Sequence, residues 1–124
     1  MRITLVSSCG LVLEQDGSAL LIDALNKQFR CYYGLPPETF AQMLAGEPPY
    51  DALCGILCTH AHPDHYNALR TRQLQAASGA PVFVPQPQTP PQLALQVGPF
   101  CVEYHQFAHT PVPGWDAITH GVYF

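Results

Sequence analysis

The chain has 124 residues, the size of a single domain, and 48% of them are hydrophobic, enough for a core without disulfide staples. Charged residues are only 11%, and nine acidic against five basic side chains leave a net charge of −4, so the chain lacks the basic footprint that grips nucleic-acid phosphates, and nucleic acid is a poor first candidate. No apolar run approaches the roughly 20 residues of a membrane helix, and Ser7–Ser8 breaks the N-terminal apolar stretch short of a secretory segment.

In chain order, Ile3–Ser8 reads as a first strand, followed by strands Leu11–Glu14 and Ser18–Ile22. The last two are joined at Asp16–Gly17, a dipeptide suited to the positive φ angles of a tight hairpin. Asp23 places a carboxylate directly behind the apolar run Ala19-Leu20-Leu21-Ile22. Residues 26–34 read as loop. A short helix then starts at Pro37, carries Phe40, Met43 and Leu44 at helical spacing, and stops at Gly46. Ala52–Thr59 is a continuous apolar run, the mark of a strand covered on both faces. Asn67–Ser78 reads as a helix closed by Gly79, and Pro81–Val84 as a short strand. Residues 85–92 (PQPQTPPQ) read as an extended polyproline-like loop. Leu93–Val97 and Phe100–Phe107 form a hairpin about Gly98–Pro99, and Ala117–Phe124 begins a final strand.

The five cysteines (Cys9, Cys31, Cys54, Cys58 and Cys101) are odd in number and scattered, which argues for a reducing cytoplasm and against a disulfide framework. Cys54 and Cys58 are read as core residues, because positions four apart on a strand lie roughly 13 Å apart, too far to share an ion.

Three of the six histidines fall within His60-Ala61-His62-Pro63-Asp64-His65, just after the buried strand. If Thr59–His62 stays extended, His60 and His62 point the same way and can grip one ion. Pro63 turns the chain, so that Asp64 and His65 can swing back toward that clip. Imidazole and carboxylate are the ligand set of zinc and its first-row relatives, and a catalytic zinc makes hydroxide available at neutral pH.

Thr-His-Ala-His-Pro-Asp-His, residues 59–65, resembles the HxHxDH signature of the metallo-β-lactamase superfamily of metal-dependent hydrolases. The preceding strands, the hairpin into Leu20-Leu21-Ile22-Asp23 and the helix after the motif match that family's N-terminal half in order and spacing. The resemblance implies an α/β fold, half of an αββα sandwich, with a mixed sheet and flanking helices. Residues 1–124 would be a single such domain, truncated at its C-terminus. It further implies that His60, His62 and His109 bind a first metal and that Asp64 and His65 bind a second. Asp64 or the metal-bound hydroxide would manage protons, and Asp23 would orient a ligand from behind, with a loop cap as its alternative role. The implied cofactor is zinc, one or two ions, with manganese or iron as substitutes.

The implied function is hydrolysis, with a metal-activated hydroxide attacking a small ester, lactone, thioester or phosphodiester. The alternative is a non-catalytic or impaired metal-binding domain, because the family's bridging Asp and last His have no counterpart here. Without the bridge a second ion should bind weakly. The implied partner is a small-molecule substrate, with neither nucleic acid nor membrane. A homo-oligomer is expected, burying an apolar sheet face that the other half of the sandwich would cover.

Overall fold

The computed structural model describes residues 1–107 and, as backbone, the strand His120–Tyr123. Strands β1 (Arg2–Leu5), β2 (Leu11–Gln15), β3 (Ser18–Ile22), β4 (Leu53–Leu57) and β5 (Val82–Phe83) form one sheet in that spatial order. The first three pair antiparallel, whereas β3–β4 and β4–β5 are parallel. Asp16 (φ 50°) and Gly17 (φ 74°) make the β2–β3 turn, as their left-handed tolerance predicts.

Parallel neighbours need crossovers, and helices supply them. Helix α1 (Pro37–Ala45) joins β3 to β4, and α2 (Ala68–Ser78) joins β4 to β5. Helix α1 carries proline in its first turn and ends at left-handed Gly46. In α2 the Asn67 side chain accepts the Arg70 backbone N–H at 3.0 Å, and left-handed Gly79 closes the helix. Both helices cover one sheet face, where Met43 and Leu74 meet Val12, Leu21 and Ile56. Leu44 faces outward at 36% exposure, because Met43 and Phe40 already occupy the stripe that meets the sheet. Arg70 ties the layer to the β3–α1 loop. Its guanidinium donates to the carbonyls of Asn26 (2.9 Å) and Leu35 (3.1 Å) and lies over the Phe40 ring.

A second, antiparallel sheet of β6 (Gln92–Val97), β7 (Phe100–Gln106) and β8 (His120–Tyr123) packs on the other face. Leu13, Leu20, Ile22 and Leu57 meet Phe100, Val102 and Tyr104 there. The fold is therefore α/β with layers helix–sheet–sheet. Neighbouring residues on β2, β3 and β4 serve opposite cores, which explains why these strands read as continuous apolar runs.

The register between β3 and β4 slips by one residue, Ala19 facing Leu53 and Leu20 facing Gly55. The extra residue, Cys54, and the bare Gly55 both lie toward the second sheet. A Cβ on Gly55 would sit 2.5 Å from Val97 Cγ1.

Several boundaries differ from the sequence reading. The first strand stops at Leu5, because Ser7 Oγ accepts the Gly10 N–H (2.9 Å) and turns the chain. A 3-10 turn at Tyr50–Ala52 precedes β4, which ends at Leu57, and β5 covers only two residues. Residues 85–92 are not an extended polyproline segment. Thr89 closes a turn there, its Oγ1 accepting the Gln86 N–H (2.8 Å) while its own N–H donates to Gln86 O (2.9 Å).

The second sheet covers most of the apolar face that was expected to be bare. Among the described residues, a strip on β1 stays open. Ile3 and Leu5, opposite Leu13 and Leu11, are 59% and 67% exposed.

Candidate metal centre

Parallel pairing sends β3 and β4 to the same end of the sheet, and both change from apolar to polar there. Ile22 lies beside Leu57, so Asp23 lies beside the segment that enters the motif. The Asp23 N–H continues the ladder to Leu57 O (3.0 Å), and its φ of 51° swings the chain away. The carboxylate is buried, and it is fully engaged. Oδ1 accepts the Thr59 backbone N–H (2.8 Å), while Oδ2 accepts the Thr59 hydroxyl (2.7 Å) and faces His65 Nδ1 at 2.8 Å. Asp23 thus caps the loop at Thr59, as one reading had it, and is also the hub that ties Thr59 to His65.

The donor count fixes two tautomers. Thr59 has one hydroxyl proton and gives it to Asp23, so at 2.9 Å its oxygen accepts from His60 Nδ1–H. His65 gives its Nδ1 proton to Asp23 directly. Both imidazoles are therefore protonated at Nδ1, with Nε2 as the basic nitrogen, the state in which a carboxylate behind a histidine prepares it as a ligand.

The rest of the motif closes around these rings. The backbone N–H groups of His65 and Tyr66 both donate to His62 O (3.0 and 2.8 Å), which makes the turn expected at Pro63. His60 and His62 are buried with ring centroids 4.5 Å apart and nearly perpendicular, and His60 and His65 are 4.2 Å apart. The rings of His60, His62 and His65 thus lie close together with Asp64 beside His65, while the group of donor atoms that converges within 4.8 Å among the described residues contains Asp64 and His65 but neither His60 nor His62. His109 lies outside the described residues.

His65 Nε2 faces Asp64 Oδ2 at 3.5 Å. With Nδ1 protonated, both of these atoms are acceptors, so a proton or a cation belongs between them. Burial pulls the His65 pKa down, but the hydrogen bond and charge of Asp23, with the charge of Asp64, outweigh it and hold the pKa above the ordinary value.

The sequence reading missed one residue here. Cys9, in the β1–β2 loop, places its sulfur with Asp64 and His65 so that all three donor atoms lie within 4.8 Å of one another. Burial, then the charges of Asp64 and Asp23, push its thiol pKa up. No spacing pattern marks it, because 55 positions separate it from Asp64 and 56 from His65. Cys54 lies between the two sheets and Cys58 is buried, its thiol donating to His65 O at 3.7 Å. Both are core residues, as read.

This donor set fits a first-row divalent cation. Zinc takes sulfur at about 2.3 Å and nitrogen or oxygen at about 2.0–2.2 Å, so a spread of this size closes by side-chain rotation. A cleft of about 530 Å³ lies at the other end of the strands around Glu14, Asp16 and Asp51, and no histidine of the motif lines it. A cleft of about 360 Å³ runs beside the motif itself, lined by Lys27, Phe29, Ala61, Pro63 and Tyr66 among others. No helix among the described residues is long and apolar enough to cross a membrane.

No family model matches the chain, and no curated protein does. Solved structures do. Metallo-β-lactamase SMB-1 in complex with mercaptoacetic acid matches with a TM-score of 0.54 at 17% identity, over 98% of this chain and 60% of that one. SMB-1 bound to 2-mercaptoethanesulfonate gives 0.52 at 16% identity, over 95% and 57%. The chain has a partial metallo-β-lactamase fold and spans about 60% of the length of the SMB-1 chain.

Proposed function

We propose that this chain is a metal-dependent hydrolase, or the ligand-bearing part of one, acting on a small ester, lactone, thioester or phosphodiester. One observation carries the reading: a single buried carboxylate, Asp23, fixes His60 through Thr59 and His65 directly, so that both rings offer Nε2. Such tautomer control is what a ligand needs and what a histidine-rich surface loop lacks.

In this proposal His60, His62 and His109 hold one ion, and Asp64 and His65 hold a second. A divalent cation supplies Lewis acidity and water activation at neutral pH. Asp64 is the proton-handling group, since it is partly exposed beside the donors while Asp23 is sealed behind them. A substrate would lie along the cleft beside Ala61 and Pro63, where the Lys27 ammonium can meet an anionic group and Phe29 and Tyr66 an apolar one. Zinc, with manganese or iron as substitutes, suits the imidazole and carboxylate donors. A reducing, cytoplasmic setting belongs to the proposal, as does a homo-oligomer that covers Ile3 and Leu5.

The test is elemental analysis of protein purified without chelator, followed by assays on model esters, lactones, thioesters and phosphodiesters. One or two ions per chain with turnover that chelator abolishes and zinc restores is the expected result. Bound ions without turnover on any class would favour the non-catalytic metal-binding domain. A metal-free chain would overturn both.

A further inference from the structure

Cys9 is not placed by accident. Its loop is fastened at four points: Ser7 Oγ accepts the Gly10 N–H (2.9 Å), Val6 N–H donates to Gly10 O (2.9 Å), Ser8 N–H donates to Tyr33 O (3.1 Å), and Tyr33 N–H donates to Ser8 Oγ (2.7 Å). Gly10 rests directly on the turn that follows β3. A Cβ there would come within 2.7 Å of Ala24 Cα and 3.1 Å of Asp23 O. The loop is therefore seated on the backbone of the residue that organises the histidines, and Cys9 is carried into the group with Asp64 and His65.

We propose that Cys9 is a metal ligand whose thiolate completes, with Asp64 and His65, the second cation subsite and makes it selective for thiophilic ions. The inference rests on the reading that the motif binds metal, and it changes what that subsite is. Asp64 and His65 alone give two donors and one negative charge. Cys9 gives a third donor, and thiolate plus carboxylate match the charge of one divalent ion while leaving a coordination position open. The ion is then held without a further histidine. Sulfur also moves the preference toward zinc and cadmium and away from manganese.

Cobalt(II) loading of the full chain tests this, because thiolate coordination produces a sulfur-to-cobalt charge-transfer band in the near ultraviolet and nitrogen or oxygen ligands do not. The wild type should show the band. C9S should lose it and should bind its second cobalt equivalent at least about a hundredfold more weakly, beyond the loss typical of an outer-shell change. H62A should weaken the other equivalent and keep the band. In chelator, C9S and C9A should match the wild type in far-ultraviolet circular dichroism and unfolding temperature, so a lost band reports the ligand and not the fold. Cobalt bound with no band, or a band that survives in C9S, would overturn the role of Cys9 and leave the metal-binding reading standing. A wild type that takes up no cobalt would overturn both.

Discussion

The two regions that flank β3 and β4 solve burial in opposite ways. Between the sheets, Leu13, Leu20, Ile22, Leu57, Phe100 and Val102 pack with almost no polar atoms. The exception is the Tyr104 hydroxyl, which is buried without a hydrogen-bond partner among the described residues. At the carboxyl end of the same strands, Asp23, His60 and His62 are buried just as deeply, and the Asp23 carboxylate is fully satisfied. Polarity is tolerated where a hub pairs it, and is otherwise kept out. The core is thus specified by shape, and the site by donor count.

Variants on each side can break that contrast. The largest effect is expected for Asp23→Ala, which strips three contacts from Thr59 and His65. Metal affinity should fall by at least about a hundredfold, and stability by about 3 kcal/mol, since the buried partners are left unpaired. Competitive chelator titration and denaturant unfolding check this, and unchanged affinity would end the hub assignment. Gly55→Val should damage the other side alone. Its side chain collides with Val97 and Leu20, costing about 3 kcal/mol, while metal stoichiometry of the folded fraction stays at the wild-type value.

Arg70→Ala removes two charge-assisted bonds and the stack on Phe40, and should cost about 2 kcal/mol. Lysine should not restore it fully: both bonds come from the one nitrogen Nη1, but an ammonium has no planar group to lie over the Phe40 ring. The smallest change is Tyr104→Phe. Burial first, then the charges of Cys58 and Asp23, already hold that phenol un-ionised, and deleting an unpaired hydroxyl should raise stability by up to about 1 kcal/mol in thermal unfolding. A loss of stability there would mean the hydroxyl has a partner.

Much of this contrast is legible in the sequence. The apolar runs Leu20–Ile22 and Ile56–Cys58 announce buried strands, Asp16–Gly17 and Gly46 announce their turns, and residues 59–65 announce the donors. Local chemistry dictates each of these, so local reading finds them. What sequence does not reveal is long-range. The register slip at Cys54 depends on Val97 in the facing sheet. Cys9 joins the donors only because Gly10 lies against Asp23–Ala24. The turn at residues 85–92 escaped for another reason. Its prolines suggest extension, and the Thr89 hydroxyl overrides them with a single pair of bonds.

The parallel register of β3 on β4 has a kinetic consequence. Ile22 and Leu57 pair although 35 positions separate them, whereas the β2–β3 hairpin closes over two residues. Non-local parallel pairing of this kind is slow relative to hairpin formation. In a refolding molecule, His60-Ala61-His62 is exposed before the β3–β4 pairing brings Asp23 alongside to set the rings. Under the proposed metal-binding function, tight capture of an ion dates the completed crossover, and stopped-flow metal uptake should lag behind the burst of hairpin formation.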